Sequence, residues 1–106
     1  MAASRIEVFE QMLESEPENT LVLFGLAKEY EKAGRHADVV ASLTKYLQLF
    51  NDEGNAYGML AEAHERLGNR DAARAAYRRG IEVATAHGHP SMAEDYRMTL
   101  ESDYED

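Results

Sequence analysis

Apolar residues along the chain fall into helical stripes separated by short polar breaks. Leu23, Leu26, Ala27 and Tyr30 stand at i, i+3, i+4 and i+7, the spacing that puts side chains on one face of a helix. Gly34 follows, where a left-handed residue ends a helix without a Cβ clash. A second stripe of Val39, Val40, Leu43, Tyr46 and Leu47 predicts a helix from His36 to about Phe50. Asn51–Asp52 break the pattern, with Asp52 placed to cap the next helix. The order then recurs as Tyr57, Leu60, Ala61 and His64, then Gly68, then Ala73, Tyr77, Gly80 and Ile81.

The recurrence has a fixed period. A shift of 34 residues places Leu23 on Tyr57, Leu26 on Leu60, Ala27 on Ala61 and Tyr30 on His64. It also places Gly34 on Gly68, Leu43 on Tyr77, Leu47 on Ile81 and Leu49 on Val83. Apolar falls on apolar and glycine on glycine across a whole register, the signature of a repeat array. Two full units result, residues 20–53 and 54–87, each a helix–turn–helix.

The flanks continue the pattern in part. Ser4 and Glu7 form a capping box that opens a helix over residues 4–16, with Ile6, Phe9, Met12 and Leu13 apolar and Pro17 as its stop. Phe9 and Leu13 precede Leu43 and Leu47 by 34 residues, so this helix is the second half of an earlier unit. The run His87-Gly88-His89-Pro90 is another break. Ser91 and Glu94 suggest a second capping box at the start of a last helix, residues 90–101, which presents Met92, Ala93, Tyr96 and Leu100. An acidic tail, residues 102–106, is expected to fray.

With this period and these residues, the chain resembles the tetratricopeptide repeat family. The stretch Tyr57-x-x-Leu60-Ala61-x-x-His64-x-x-x-Gly68, followed by Ala73, Tyr77 and Gly80, carries the resemblance best. Leu23 departs from the family's early Trp or Tyr, Tyr46 is bulky where a small residue is usual, and the unit-ending proline survives only as Pro17. The resemblance implies an all-α array of helix pairs, a short right-handed solenoid in one domain, with a capping helix at its end.

It also implies a binding face on the first helices of the units. Carried over by position, that groove is lined by Leu21, Phe24, Gly25, Lys28, Glu31 and Lys32, then by Asn55, Gly58, Met59, Glu62, Glu65 and Arg66. Phe24 and Met59 lie off the core stripes and have no evident burial partner, as expected of an apolar peptide-binding surface. Lys28, Lys32, Arg66 and Asn55 offer the chemistry of the family's carboxylate clamp, but Phe24 and Met59 occupy clamp positions, which argues against that subclass.

Charge narrows the choice of partner. Residues 1–19 sum to −4, 20–53 to −1, 54–87 to +1 and 88–106 to −5, for a net charge of −9. An acidic surface argues against nucleic acid and against anionic membranes. Arg70, Arg74 and Arg78, with Arg79 beside them, form a basic stripe suited to an acidic partner or to the chain's own acidic end. The chain contains no cysteine, which excludes thiolate sites and fits a cytoplasmic setting.

Candidate chemistry is otherwise sparse. His87-x-His89 lacks further metal ligands nearby and reads as a turn, and His64 reads as a packed residue. No phosphate-binding glycine loop or nucleophile motif is present, so neither an enzyme nor a cofactor nor a small-molecule substrate is expected. The resulting expectation is an adaptor that binds a short peptide or protein segment. The alternatives are a small acidic chaperone or assembly factor, and a homo-oligomer stacked through its incomplete ends.

Overall fold

The computed structural model describes residues 4–104. It contains six α-helices in the order α1 (Arg5–Ser15), α2 (Thr20–Lys32), α3 (His36–Leu49), α4 (Asn55–Arg66), α5 (Arg70–Ala86) and α6 (Pro90–Asp103). No strand occurs among the described residues. Helices adjacent in sequence pack together, α1 on α2, α2 on α3, α4 on α5 and α5 on α6, as in an array of helix pairs. The chain divides into two compact units, Met1–Asn51 and Asp52–Asp106, at the break between the repeats.

The first unit is the pair α2–α3 with α1 against it. Val22, Leu23, Leu26, Ala27 and Tyr30 of α2 and Val39, Leu43 and Tyr46 of α3 are buried. Val40 and Leu47 are half-buried at the edges of the same stripe. On α1, Ile6, Phe9 and Leu13 are half-buried, whereas Met12, expected on the apolar face, turns outward and is exposed. The Phe9 ring packs over Gly25, where an added Cβ would stand 3.4 Å from it. Ser4 caps α1 as expected, its hydroxyl accepting from the Glu7 amide at 3.1 Å, and Asn19 caps α2 through the Val22 amide at 3.2 Å.

The second unit is the pair α4–α5 with α6 against it. Its buried apolar set is mostly alanine (Ala56, Ala61, Ala63, Ala73, Ala76, Ala84 and Ala93), joined by Tyr77, Val83 and Tyr104. Small residues let helices approach closely, so large side chains from one helix can enter the others. Tyr96 of α6 does so. Cβ atoms on Gly58 and Gly80 would stand 2.6 and 2.8 Å from it, and its hydroxyl donates to the Gly54 carbonyl at 2.8 Å.

The turns after α2, α4 and α5 are built alike. Gly34, Gly68 and Gly88 have φ of 73°, 77° and 77°. Behind each, an amide reaches back across the helix end: Arg35 to the Tyr30 carbonyl, Asn69 to His64 and His89 to Ala84, at 2.8–2.9 Å. This is the hydrogen-bond pattern of a Schellman cap, and it needs a residue free to adopt positive φ.

Three expectations are corrected. Asp52 is not the N-cap of α4; that position is Gly54, with φ 130°. The Asp52 carboxylate instead accepts from the amides of Gly54 at 2.8 Å and Ala56 at 3.0 Å, serving the helix start from two residues upstream. Ser91 does not cap α6, because Pro90 already occupies its first turn and His89 is the N-cap; the fixed φ and missing N–H of proline suit that place. The acidic tail does not fray at residue 102. The helix runs to Asp103 and Tyr104 is buried, while residues 105–106 lie outside the described residues.

Candidate functional site

The residues expected to bind a partner fall on two helix faces, one in each unit. On α2, Leu21, Phe24, Lys28 and Lys32 stand at i, i+3, i+7 and i+11, a single stripe along the helix. Leu21 is 85% exposed, far more than any other large apolar side chain among the described residues. The Lys28 ammonium lies 5.5 Å from the centroid of the Phe24 ring, within cation–π range. Lys32 is exposed and pairs with Glu29 at 3.2 Å, and Glu29 also meets Arg5 of α1 at 3.5 Å.

Phe24 is not a free apolar side chain. It is half-buried, its ring 5.1 Å from that of Tyr46 on α3, and Tyr46 stacks in turn on Phe50 at 5.2 Å. The bulky Tyr46, a departure from the family's small residue, is therefore what gives Phe24 its seat. One edge of the ladder remains open, since Phe50 is exposed. Gly25 lies beneath Phe9 of α1 rather than toward a ligand.

On α4, Asn55, Met59, Glu62 and Arg66 form the equivalent stripe. Asn55, Glu62 and Arg66 are exposed and Met59 is half-buried. Two other expected members are engaged within the second unit. Gly58 is buried under Tyr96. The Glu65 carboxylate accepts hydrogen bonds from the hydroxyls of Tyr77 at 3.1 Å and Tyr104 at 2.7 Å.

The basic stripe of α5 meets the chain's own end, through main-chain carbonyls and an aromatic ring. Arg70 donates to the Asp103 carbonyl at 2.6 Å and Arg74 to the Tyr104 carbonyl at 3.4 Å. Their guanidinium carbons lie 4.5 and 5.8 Å from the centroid of the Tyr104 ring. Burial, with the Glu65 carboxylate beside it, pushes the Tyr104 phenol up to about 12. Composition alone hid this arrangement. The available signal was an aromatic residue set among acids at a chain end, opposite arginines spaced one turn apart.

The histidines fit structural roles. His64 is half-buried against Asn69, and burial lowers its pKa. His89 Nε2 lies 2.5 Å from the Glu53 carboxylate, joining the start of α6 to the loop before α4. That contact holds Glu53 below the usual carboxylate range. No cluster of metal-ligating side chains occurs among the described residues. Among them, too, no helix is long and apolar enough to cross a membrane.

Comparison with known proteins points to the same repeat family. The chain is 30% identical, over 95 residues, to a TPR repeat-containing protein of Pseudomonas aeruginosa, a match that covers 90% of each chain. A profile described as "Tetratricopeptide repeat" matches residues 30–89, from the last turn of α2 to the start of α6. With the period, the paired helices and the Schellman turns in agreement, the chain belongs to the tetratricopeptide repeat family, whose members serve as protein–protein interaction modules.

Proposed function

We propose that this protein is an adaptor that binds a short peptide or protein segment through the Leu21, Phe24, Lys28 and Lys32 face of α2. The corresponding face of α4, with Asn55, Met59, Glu62 and Arg66, is a second contact surface. The observation that carries the reading is Leu21, an 85%-exposed leucine beside a half-buried aromatic ring and two lysines. Nothing in its own helix pair requires leucine at so exposed a place. Covering it removes apolar area worth ~25 cal/mol per Å², and the neighbouring lysines favour a segment that carries an acid next to its apolar anchor. The partner is a protein, the setting is cytoplasmic, and no cofactor takes part.

Self-association through the terminal segments is disfavoured by charge, because it would bring a −4 segment against a −5 segment. A chaperone-like use of the same faces would differ in selectivity. Peptides selected from a random display library against the folded chain provide the test. The adaptor reading expects a shared motif of one apolar and one acidic residue, amide shifts along α2, and at least tenfold weaker binding to Leu21→Asp. Selected peptides that shift only α3 or α5 would overturn the face. Peptides with no common motif, together with suppression of client aggregation, would favour the chaperone.

A further inference from the structure

Tyr104 is held by its ring, its hydroxyl and its main chain at once. Its ring is buried against the core cluster of Ala61, Ala73, Ala76 and Tyr77, with the Tyr77 ring edge-on at 6.0 Å. Arg70 and Arg74 approach the same ring, at 4.5 and 5.8 Å. The hydroxyl donates to Glu65 at 2.7 Å, and the arginines cap the carbonyls of residues 103 and 104. The three preceding residues, Glu101, Ser102 and Asp103, are exposed. The Tyr104 ring thus anchors the end of α6, alongside Tyr96 and Leu100, which pack against the same cluster.

These contacts have the composition of a peptide-recognition site. Hydrogen bonds to main-chain carbonyls can be made with any sequence and set only the path of the segment. Selectivity comes from the side chain: an aromatic ring to lie beside the guanidinium groups and a phenol hydroxyl to satisfy the Glu65 carboxylate, which phenylalanine lacks. Arg70, Arg74 and Arg78 stand four residues apart on α5, so acidic flanks are favoured, and the resident tyrosine is flanked in sequence by Glu101, Asp103, Glu105 and Asp106.

We propose that Glu65, Arg70, Arg74 and Tyr77 form a recognition cradle for a tyrosine within an acidic segment of another protein, and that Tyr104 occupies this cradle in cis. The cradle uses none of the residues of the proposed α2 and α4 stripes. Because the resident segment is tethered, it competes at a high effective concentration, and an incoming segment binds the intact chain weakly unless Tyr104 is released. The C-terminal segment therefore acts as a built-in competitor that sets the threshold for this second partner.

The test uses the full chain carrying Tyr104→Ala and a synthetic peptide with the sequence of residues 100–106, followed by amide shifts and titration calorimetry. Saturable binding is expected, with shifts at Gly68, Arg70 and Arg74, and at least tenfold weaker binding to the unmodified chain. The same peptide with alanine for its tyrosine should lose at least tenfold, and so should the chain variant that also carries Arg70→Ala. No shift at these residues in Tyr104→Ala, with its spectrum still dispersed, overturns the proposal. If Tyr104→Ala does not fold, the unmodified chain is titrated with excess peptide: displacement of the Tyr104 ring signals supports the cradle, and their invariance overturns it. A dimer of the unmodified chain that dissociates in Tyr104→Phe would identify a second copy as occupant and overturn the assignment to another protein. Leu21→Asp should leave all of these results unchanged, so failure here is distinct from failure of the α2 face.

Discussion

The two units share one repeat register but solve the packing of a third helix in opposite ways. Positions 24 and 46 are Phe and Tyr in the first unit; the equivalent positions 58 and 80 are both glycine in the second. In the first unit the two rings pack on each other, 5.1 Å apart, and fill their own space. In the second the paired glycines leave a slot, and Tyr96 of α6 fills it. The first unit accommodates its flanking helix elsewhere, with Phe9 of α1 over Gly25. A repeat can thus keep its backbone plan while its bulk moves between its own two helices and a neighbouring one, provided large and small residues change together.

The largest effects should come from reversing that exchange of bulk. Leu43 is fully buried in the first unit, and Leu43→Ala should cost ~2–5 kcal/mol, the range for leucine truncation in a core. Chemical denaturation measures it, and a loss below ~1 kcal/mol would mean that the first unit collapses around the cavity. In the second unit the opposite change does the damage. A Cβ on Gly80 meets the Tyr96 ring at 2.8 Å and Tyr57 Cβ at 3.1 Å. Gly80→Ala should therefore destabilise by about 1–3 kcal/mol in spite of its better helix propensity. Gly25→Ala meets Phe9 only at 3.4 Å, so the propensity gain of up to ~1 kcal/mol should make it neutral or stabilising. Equal signs for the two glycine variants would break the comparison.

This contrast also shows what the sequence could reveal. The period of 34, the helix pairs and the turn glycines were legible because burial repeats with the helix and positive φ selects glycine. The complementarity of Phe24–Tyr46 and Gly58–Gly80 was present in the same alignment. Read one position at a time, however, it suggested that Phe24 had no partner, when its partner lies 22 residues on. Asp52 and Ser91 matched capping patterns, but a carboxylate reaching two residues forward and a proline already in the first helical turn decided the actual starts. Tyr104 was least legible: its hydroxyl meets Glu65 across 39 residues, and local acidity pointed the other way. Of the proposed binding stripes, the exposure of Leu21 and the lysines followed from position alone. The burial of Gly58 under Tyr96 and the bonds of Glu65 to Tyr77 and Tyr104 depended on α5, α6 and its end.

A smaller difference should appear in alkali. Tyr30, buried and bonded to Glu10 of α1, is pushed up to about 12, and so is Tyr104. Burial also raises Tyr77 and Tyr96. A phenol whose folded pKa is raised contributes stability that is fully present below its unfolded value, near 10, and is lost as the pH rises through the folded value. Of these four phenols one belongs to the first unit and three to the second, so amide exchange should show the second loosening first between pH 10 and 12. Tyr104→Phe should reduce the difference. A first unit that loosens before the second would contradict the assignment of these contacts.

The smallest effect concerns how each repeat begins. In the first unit Asn19 caps α2 locally, through the amide of Val22. In the second, the residue 34 positions later is Glu53, which turns away from α4 and meets His89 at the start of α6. Entry into one helix pair is thus held by its own cap alone, and entry into the other adds to the local Asp52 contacts a tie to the flanking helix. The Glu53 pair is exposed, and exposed pairs contribute little to stability, so Tm is the wrong measurement. The sensitive one is the Glu53 carboxyl itself, which His89 holds below the usual range. Its favourable contribution is present above the unfolded carboxylate value and is lost as the pH falls through the folded one. His89→Ala should return the Glu53 midpoint, followed by carbon NMR of the carboxyl group, toward the ordinary value while leaving the Asn19 cap unaffected. A midpoint that stays low would show that His89 does not hold this loop, leaving the Tyr96 bond to the Gly54 carbonyl as the tie between α6 and the start of the second repeat.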